Sequence, residues 1–115
     1  MAIEKTFPQH APMRQFRTAG GELVVGGTAL NQLAARVGQT PFYAYDRKLL
    51  SSRVAELRAA LPRNIKLHYA MKANPMPALV CTMANLVDGI DVASGGELKV
   101  ALDAGANPAD ISFAG

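Results

Sequence analysis

The sequence predicts an α/β fold in which the strands of a parallel sheet alternate with helices. From residue 65 onward the pattern is strand, helix, strand, helix, strand, with short connections between the elements. Antiparallel hairpins do not produce this order, whereas parallel strands joined by right-handed helical crossovers do. A parallel sheet needs a covering layer on each face, which a (β/α)₈ barrel or a doubly wound sheet supplies. We therefore expect the N-terminal portion of such a fold, with a small complete α/β domain as the alternative.

Composition restricts the chain to folded globular proteins. Half of the 115 residues are hydrophobic and 18% are charged, which excludes disorder, and the single cysteine excludes a disulfide scaffold. No apolar run approaches the roughly 20 residues that cross a bilayer, and the N-terminus lacks the apolar core of a signal peptide. The basic residues behind the net charge of +3 are scattered, which indicates solvated faces rather than a nucleic-acid surface. We expect a cytoplasmic protein without nucleic-acid or membrane partners.

The N-terminal part of the chain predicts an arm followed by a strand, a helix and a second strand. Residues 1–21 are polar and proline-containing, which is typical of a flexible arm. Residues 22–25 have the sequence ELVV and are followed by the pair Gly26-Gly27, which indicates a short strand. Thr28 is then the expected cap of a helix that ends at Gly38. The aromatic residues at 42–45 predict the second strand.

A longer helix and a strand follow. Asp46 is the expected cap of a helix over 47–61, whose apolar residues form one stripe at helical spacing: Leu50, Val54, Leu57 and Leu61. Alternating apolar residues predict a strand over 65–70, and a tight loop over 71–75 follows it. Pro77 suits the first turn of the next helix.

The last part of the chain repeats the strand and helix pattern. Gly89 precedes a strand predicted over 90–93, and Ser94 begins the next helix, which ends at Gly105. A further strand is predicted over 111–114. Because the sequence stops directly after this strand, we expect the chain to be the N-terminal portion of a longer protein.

Lys72 is the strongest candidate for chemistry because it lies two residues beyond the strand at 65–70. The carboxyl ends of the strands form the catalytic rim of a parallel α/β barrel. The neighbouring residues Ala70, Met71 and Ala73 are apolar, so we expect the amine to be partly desolvated. Desolvation favours the neutral amine, which is the nucleophile that condenses with an aldehyde. The alternative is an ordinary solvated surface lysine.

Two acidic residues follow on the next strand and helix. Asp91 lies among apolar strand residues, where a carboxylate is costly to bury unless it is paired, and Lys72 on the neighbouring strand is an available partner. The alternative places Asp91 near the strand end, facing solvent or a backbone donor. Glu97 stands three residues after Ser94, which predicts a capping box in which Glu97 reaches back to the Ser94 amide. Glu97 is compatible with facing the site as well.

A histidine and a cysteine complete the candidates. His68 alternates with Leu67 and Tyr69 along the strand, so it either lines a barrel interior or is a hydrogen-bonded structural histidine. Cys81 falls within the helix after Lys72, and no cysteine or histidine stands near it at the spacing of a metal site or a catalytic dyad. We expect a core or half-buried thiol at this position.

Two blocks of sequence resemble the pyridoxal-phosphate-dependent decarboxylases of the alanine-racemase-like fold, a family that includes diaminopimelate, ornithine and arginine decarboxylases. The blocks are YAMKAN at 69–74 and DVASGGEL at 91–98, and each stands at the end of a predicted parallel strand. The resemblance extends from residue 22 to the end of the chain. The sequence is most similar to diaminopimelate decarboxylases, and also to a bacterial branch of the family that is associated with exosortase and exopolysaccharide gene clusters.

The resemblance implies a cofactor and a set of site residues. Lys72 matches the catalytic lysine that holds pyridoxal 5'-phosphate covalently, while Ala70, Asp91 and Glu97 match positions beside the cofactor. The implied substrate is a small amino acid that loses its α-carboxylate as carbon dioxide, and meso-diaminopimelate would give lysine. The implied assembly of the full-length protein is a homodimer.

The resemblance also implies a domain organisation. Residues 1–21 are the arm, 22–45 are a strand–helix–strand contribution to a β-domain, and 46–115 are the first βα units of an incomplete (β/α)₈ barrel. Family members take further cofactor ligands, including a stacked histidine and a glycine-rich phosphate loop, from segments that correspond to sequence beyond residue 115. We therefore expect the polypeptide alone to lack decarboxylase activity.

Three other functions are compatible with the sequence. An alanine racemase would carry an aromatic residue and a Gly-His-Gly run where this chain has Pro75-Met76-Pro77 after Asn74. A small non-catalytic carrier of pyridoxal phosphate would lack the elements predicted over 22–45. A regulatory protein of the same fold would have lost the catalytic residues, and the intact Lys72 disfavours it.

Overall fold

Our computed structural model describes residue 11 and residues 13–114 of the chain. The chain divides into two units, with the boundary between Asp46 and Arg47. Much of the predicted arm, residues 1–10 and 12, lies outside the described residues. Among the residues that the structure describes, no helix combines the length and the apolar character that crossing a bilayer requires.

The first unit contains a small antiparallel sheet. Its strands lie in the order β1–β2–β3 and are β1 (Thr18–Ala19), β2 (Glu22–Val25) and β3 (Thr28–Ala29). The two connecting turns are the pairs Gly20-Gly21 and Gly26-Gly27, and all four glycines have positive φ angles between 59° and 78°. Two consecutive residues with positive φ form the tight hairpin turn that suits the twist of antiparallel strands, and glycine adopts it without strain.

Helix α1 (Leu30–Val37) follows β3 and ends as predicted. Gly38 adopts a left-handed conformation with a φ of 80°, and its amide donates to the Ala34 carbonyl. Thr28 does not cap the helix, because it is paired in β3 and Ala29 occupies the cap position.

The strand predicted over 42–45 does not form in the structure. A strand requires a neighbouring chain to complete its hydrogen bonds, and the sheet of the first unit is made only from β1, β2 and β3 among the described residues. Tyr43 and Tyr45 are therefore left exposed, with 91% of the Tyr43 surface accessible. The assignment of 22–45 to a β-domain stays a prediction.

The second unit confirms the predicted parallel α/β arrangement. Helix α2 comes first, and a three-stranded parallel sheet in the order β4–β5–β6 has one helix in each crossover. The elements are α2 (Arg47–Ala60), β4 (His68–Ala70), α3 (Pro77–Ala84), β5 (Gly89–Val92), α4 (Gly95–Asp103) and β6 (Ile111–Phe113). Strand β4 is shorter than the predicted 65–70, because its partner β5 begins at Gly89, directly opposite His68.

The core of this unit lies between the sheet and the crossover helices. Ile90 and Val92 of the central strand are each 1% exposed, and they pack with Met71, Val80 and Ala101. Burying an aliphatic side chain of this size contributes about 1.5 to 3 kcal/mol. The alternate residues of β5 must therefore face the other side of the sheet, which is the side that carries the candidate site.

An ion pair holds the end of α2 beside the strands. The Asp88 carboxylate accepts hydrogen bonds from the Leu67 amide at 2.7 Å and from the Arg58 guanidinium at 3.1 Å. Arg58 also donates to the Leu86 carbonyl at 3.0 Å. The bond from the Leu67 amide, followed by the one from Arg58, lowers the pKa of Asp88 below its ordinary value. These bonds stabilise the chain entry to β4 and β5 when Asp88 is ionised.

Candidate functional site

A cavity of about 100 Å³ lies at the carboxyl ends of the parallel strands. It is the place where four sequence-predicted site residues meet, and its lining consists of Ala70, Lys72, Asp91, Val92, Ala93, Glu97 and Ala114. Ala70 ends β4, Ala93 follows β5, and Ala114 follows β6. The strand ends converge there because all three strands run in the same direction. The site therefore lies at the rim that the sequence pattern indicates.

Strand register explains why Ala70 and Asp91 share this cavity. The two residues are directly paired across the parallel ladder of β4 and β5. Paired residues of neighbouring strands project from the same face of a sheet. Because Ile90 and Val92 pack into the core on one face, Asp91 and Ala70 lie on the opposite face.

Lys72 is presented by a short 3₁₀ turn, Met71–Ala73, that follows β4 directly. Met71 is fully buried in the core and anchors the turn from below. The Tyr69 hydroxyl donates to the Asn74 carbonyl at 2.7 Å, and the Asn74 side chain accepts from the Met76 amide at 3.1 Å. Both ends of the turn are thus held, and Lys72 is placed at the cavity by a braced backbone rather than by a free loop.

The expectation that the Lys72 amine is partly desolvated is wrong for the described residues, because the side chain is exposed. Its apolar sequence neighbours do not cover it. Met71 turns into the core, and the alanines at 70 and 73 are too short to shield an ammonium group. The position of Lys72 at the strand ends is confirmed, but its predicted environment is not.

The structure pairs Asp91 with His68 and not with Lys72. The Asp91 Oδ1 atom lies 2.9 Å from Nδ1 of His68, and the two side chains are 38% and 31% exposed. His68 stands two residues before Ala70 on β4, so it projects from the same face of the sheet. Lys72 lies beyond the end of β4, whereas His68 is a residue of β4 itself. The register of β4 and β5 therefore places His68 within hydrogen-bonding distance of Asp91.

Glu97 forms the capping interaction that the sequence predicts, with one difference. The Glu97 amide donates to the Ser94 hydroxyl oxygen at 3.1 Å, and the Glu97 carboxylate accepts from the Ala93 amide and the Ser94 hydroxyl, both at 3.3 Å. The carboxylate thus reaches the Ala93 amide rather than the Ser94 amide. Glu97 also lines the cavity. The capping hydrogen bonds therefore hold its half-buried carboxylate at the edge of the cavity.

Cys81 is exposed, and the expectation of a core or half-buried thiol is wrong. The residue lies on the face of α3 that contributes to a separate cavity of about 440 Å³, with Arg47 and Ser51 of α2 among its lining residues. This cavity shares no residue with the one that contains Lys72. Within the described part of the chain, no three histidine, cysteine or acidic side chains are arranged to hold a metal ion.

The chemistry of the cavity fits an aldehyde cofactor. Lys72 supplies a primary amine, Asp91 and Glu97 supply carboxylates, and Ala70 and Ala93 leave space beside the amine. Ligand pockets usually enclose about 300 to 1,000 Å³. The cavity of about 100 Å³ is smaller than that, so its residues would form only part of the wall of a cofactor site. A lysine amine is the group that binds pyridoxal phosphate as a Schiff base.

Comparison with known proteins connects these residues to a family. A family model described as the pyridoxal-binding domain of pyridoxal-dependent decarboxylases matches residues 47–115, which include every residue that lines the cavity. The match covers the whole second unit.

Individual relatives agree with this match. A diaminopimelate decarboxylase of Aquifex aeolicus is 38% identical over 107 residues, which are 93% of this chain and 24% of that protein. One of Pseudomonas fluorescens is 38% identical over 104 residues, which are 90% of this chain and 25% of that protein. The crystal structure of AQ1208 from Aquifex aeolicus superposes with a TM-score of 0.79 at 39% identity, over 87% of this chain and 25% of that one. The chain spans about a quarter of the length of these relatives.

Proposed function

This chain belongs to the pyridoxal-dependent decarboxylase family, and on that premise we propose that it is the cofactor-binding segment of an amino-acid decarboxylase in which Lys72 binds pyridoxal 5'-phosphate covalently. One observation carries the proposal. Lys72 shares a cavity at the ends of parallel strands with Ala70, Asp91 and Glu97, and these four residues lie within the segment that matches the pyridoxal-binding domain.

Each residue of the cavity has a distinct task in this proposal. Lys72 supplies the amine that attaches the cofactor through its aldehyde carbon, and the braced turn beneath it limits the positions that Nζ reaches. Ala70 leaves room for a flat ring because its side chain is a single methyl group. Asp91 and Glu97 supply carboxylates to the same cavity, Asp91 from β5 and Glu97 from the first turn of α4. The carboxyl-terminal strand ends provide the rigid support.

Pyridoxal phosphate, when it is bound, acts as the electron sink that accepts the electron pair left by departing carbon dioxide. The residues of this chain hold and orient that group. Lys72 would hold the group through its primary amine, which is the type of nucleophile that condenses with an aldehyde.

We propose meso-diaminopimelate as the substrate and lysine as the product of the full-length protein. Relatives named diaminopimelate decarboxylase over most of this chain support this choice. A relative from Staphylococcus aureus, 34% identical over 73 residues, is named 2-[(L-alanin-3-ylcarbamoyl)methyl]-2-hydroxybutanedioate decarboxylase. Because that name gives a different substrate, the assay of this protein must include amino acids other than diaminopimelate.

The proposal extends to the architecture of the full-length protein. Residues 46–115 are the first βα units of a (β/α)₈ barrel, and residues 22–45 contribute to a separate β-domain. The protein works in the cytoplasm as a homodimer. The parallel βαβαβ arrangement supports the barrel, because a barrel continues the same right-handed crossovers around a closed sheet.

The test of cofactor attachment uses covalent labelling. The protein is incubated with pyridoxal 5'-phosphate, reduced with borohydride, digested and mapped by mass spectrometry. We expect a pyridoxyl group on Lys72, its loss in Lys72→Ala, and full retention in the matched control Lys66→Ala, which removes an exposed lysine six residues earlier. Labelling that is spread evenly over the lysines of the wild-type protein would contradict the proposal.

The test of activity uses the full-length protein that contains this chain. Carbon dioxide release is measured with meso-diaminopimelate, ornithine and arginine as separate substrates. We expect release from diaminopimelate with formation of lysine, and a loss of at least about 10³-fold in Lys72→Ala, since removing a covalent nucleophile costs several orders of magnitude. Specific labelling of Lys72 without release from any substrate would favour a non-catalytic pyridoxal-phosphate-binding protein of the same fold.

A further inference from the structure

We infer that His68 is a positioning residue that fixes the Asp91 carboxylate at the Lys72 cavity. The inference rests on the function proposed above, because it assigns a task to a residue beside the same cavity. Neither the two sequence blocks that carry the family resemblance nor the lining of the cavity includes His68.

The geometry of the pair is that of a specific hydrogen bond. Nδ1 of His68 lies 2.9 Å from Oδ1 of Asp91, although 23 residues separate them in the sequence. An ionised carboxylate only accepts hydrogen bonds, so Nδ1 must carry the proton. The bond therefore holds the imidazole in one tautomer and the carboxylate in one orientation. The pair joins β4 to β5 on the face of the sheet opposite the core.

Gly89 provides the space that the imidazole requires. It is paired with His68 across the ladder, and a Cβ atom at Gly89 would lie 2.5 Å from Cε1 and 2.7 Å from Nε2 of the ring. The ring therefore lies directly over the glycine backbone. Because this contact limits where the ring can turn, the hydrogen bond to Asp91 starts from an ordered side chain.

The hydrogen bond from His68 to Oδ1 restricts the orientation of the whole Asp91 carboxylate. Asp91 lines the cavity together with Lys72, and its Oδ1 atom is the one bound to His68. Without His68, the carboxylate would rotate freely about its side-chain bonds, because it is partly exposed. A charge that is held in place guides the nearby amine better than one that moves, since reaction rates depend strongly on the placement of reacting groups.

The test compares two replacements of His68 in the full-length protein that contains this chain. His68→Asn retains an N–H donor near the position of Nδ1, whereas His68→Leu fills a similar volume without a donor. The first readout is the rate at which pyridoxal 5'-phosphate labels Lys72, trapped by borohydride and mapped by mass spectrometry. The second is the ¹⁵N NMR spectrum of the His68 ring in the cofactor-free protein, compared with Asp91→Asn.

We expect His68→Asn to label at close to the wild-type rate and His68→Leu to label roughly tenfold more slowly, as couplings within one hydrogen-bonded network are of this order. In an Asp91→Ala background, His68→Leu should have no further effect, because alanine has no acceptor for the His68 hydrogen bond. The NMR spectrum should show a protonated, hydrogen-bonded Nδ1 in the wild-type protein and a changed Nδ1 signal in Asp91→Asn.

Three results would overturn the inference. Equal labelling rates in the wild type and His68→Leu would show that the pair does not position Asp91, while the function proposed for Lys72 would stand. An equal loss with and without Asp91 would show that His68 acts only through general packing, and so would a His68→Asn variant as slow as His68→Leu. Failure of the wild-type protein to label at Lys72 would instead refute the proposed function, and the inference would fall with it.

Discussion

Replacing Gly89 with alanine is the sharpest structural test of the sheet that supports the site. A Cβ atom at this position would lie 2.5 Å from the Asp110 carbonyl oxygen and 2.5 Å from Cε1 of His68. Both distances are far below van der Waals contact, and the carbonyl belongs to the backbone just before β6, so it does not move aside as a flexible side chain does. Overpacking of this kind costs about 1 to 3 kcal/mol.

Gly96→Ala is the matched control for this substitution. The same methyl group at Gly96 meets nothing nearer than the Ser94 hydroxyl oxygen at 3.9 Å. Gly96 lies in the first turn of α4, where alanine is favoured over glycine by about 0.5 to 1 kcal/mol. One chemical change is therefore expected to destabilise the protein at Gly89 and to stabilise it at Gly96, which separates the two variants by about 1.5 to 4 kcal/mol.

Equilibrium unfolding in urea measures this difference. With a slope of about 2 kcal/mol per molar, a loss of 2 kcal/mol lowers the midpoint by about 1 M. Adding His68→Ala to Gly89→Ala should restore only part of the loss, because the contact with the Asp110 carbonyl remains. Equal midpoints for Gly89→Ala and Gly96→Ala would refute the reasoning that the close approach of β4, β5 and the segment before β6 requires a glycine.

Three further predictions concern the supports of the site. Met71→Ala should reduce the free energy of unfolding by about 2 to 5 kcal/mol, because Met71 is fully buried. The control Met13→Ala, at a residue that is 64% exposed, should change it by no more than about 0.5 kcal/mol. Equal losses of the two variants in urea unfolding would contradict the assignment of Met71 to the core. Tyr69→Phe should cost about 0.5 to 1.5 kcal/mol by removing the 2.7 Å hydrogen bond that braces the turn after β4, and wild-type stability in the same assay would count against the brace. Asp88 has a lowered pKa, so its contribution is complete above the pKa of the unfolded chain and is lost as the pH falls through the folded value. Asp88→Asn should therefore be less stable than the wild type at pH 7. In thermal melts the difference should begin to shrink as the pH falls below about 4 and should vanish below the lowered pKa of folded Asp88. A constant difference at all pH values would argue against the ionised contact with the Leu67 amide.

Local sequence signals are sufficient to predict features that depend on a single element or on the end of a single strand. The order of strands and helices from residue 65 predicted the parallel sheet, and the glycine at 38 and the serine at 94 marked a helix end and a helix start. Lys72, Asp91 and Glu97 line one cavity because residues at the ends of neighbouring parallel strands converge, while their roles stay predictions.

The sequence also contains signals for the antiparallel sheet of the first unit. The pairs Gly20-Gly21 and Gly26-Gly27 are typical two-residue hairpin turns, and together they predict the antiparallel sheet of the first unit. The aromatic residues at 42–45 were assigned to a strand from composition alone, although strand propensity depends on the presence of a pairing partner.

By itself, the sequence determined the class of fold and the family, since the fold class follows from periodicity and the family from short motifs at strand ends. It also predicts Lys72 as the amine that binds the cofactor. Only the tertiary structure decided that Asp91 is bonded to His68, that Lys72 is exposed, and that Asp88 holds the entry to the sheet. The physical reason is that such contacts join residues far apart in the chain. The partners in such contacts depend on strand register and on which side chains pack into the core. Neither can be read from a local stretch of sequence.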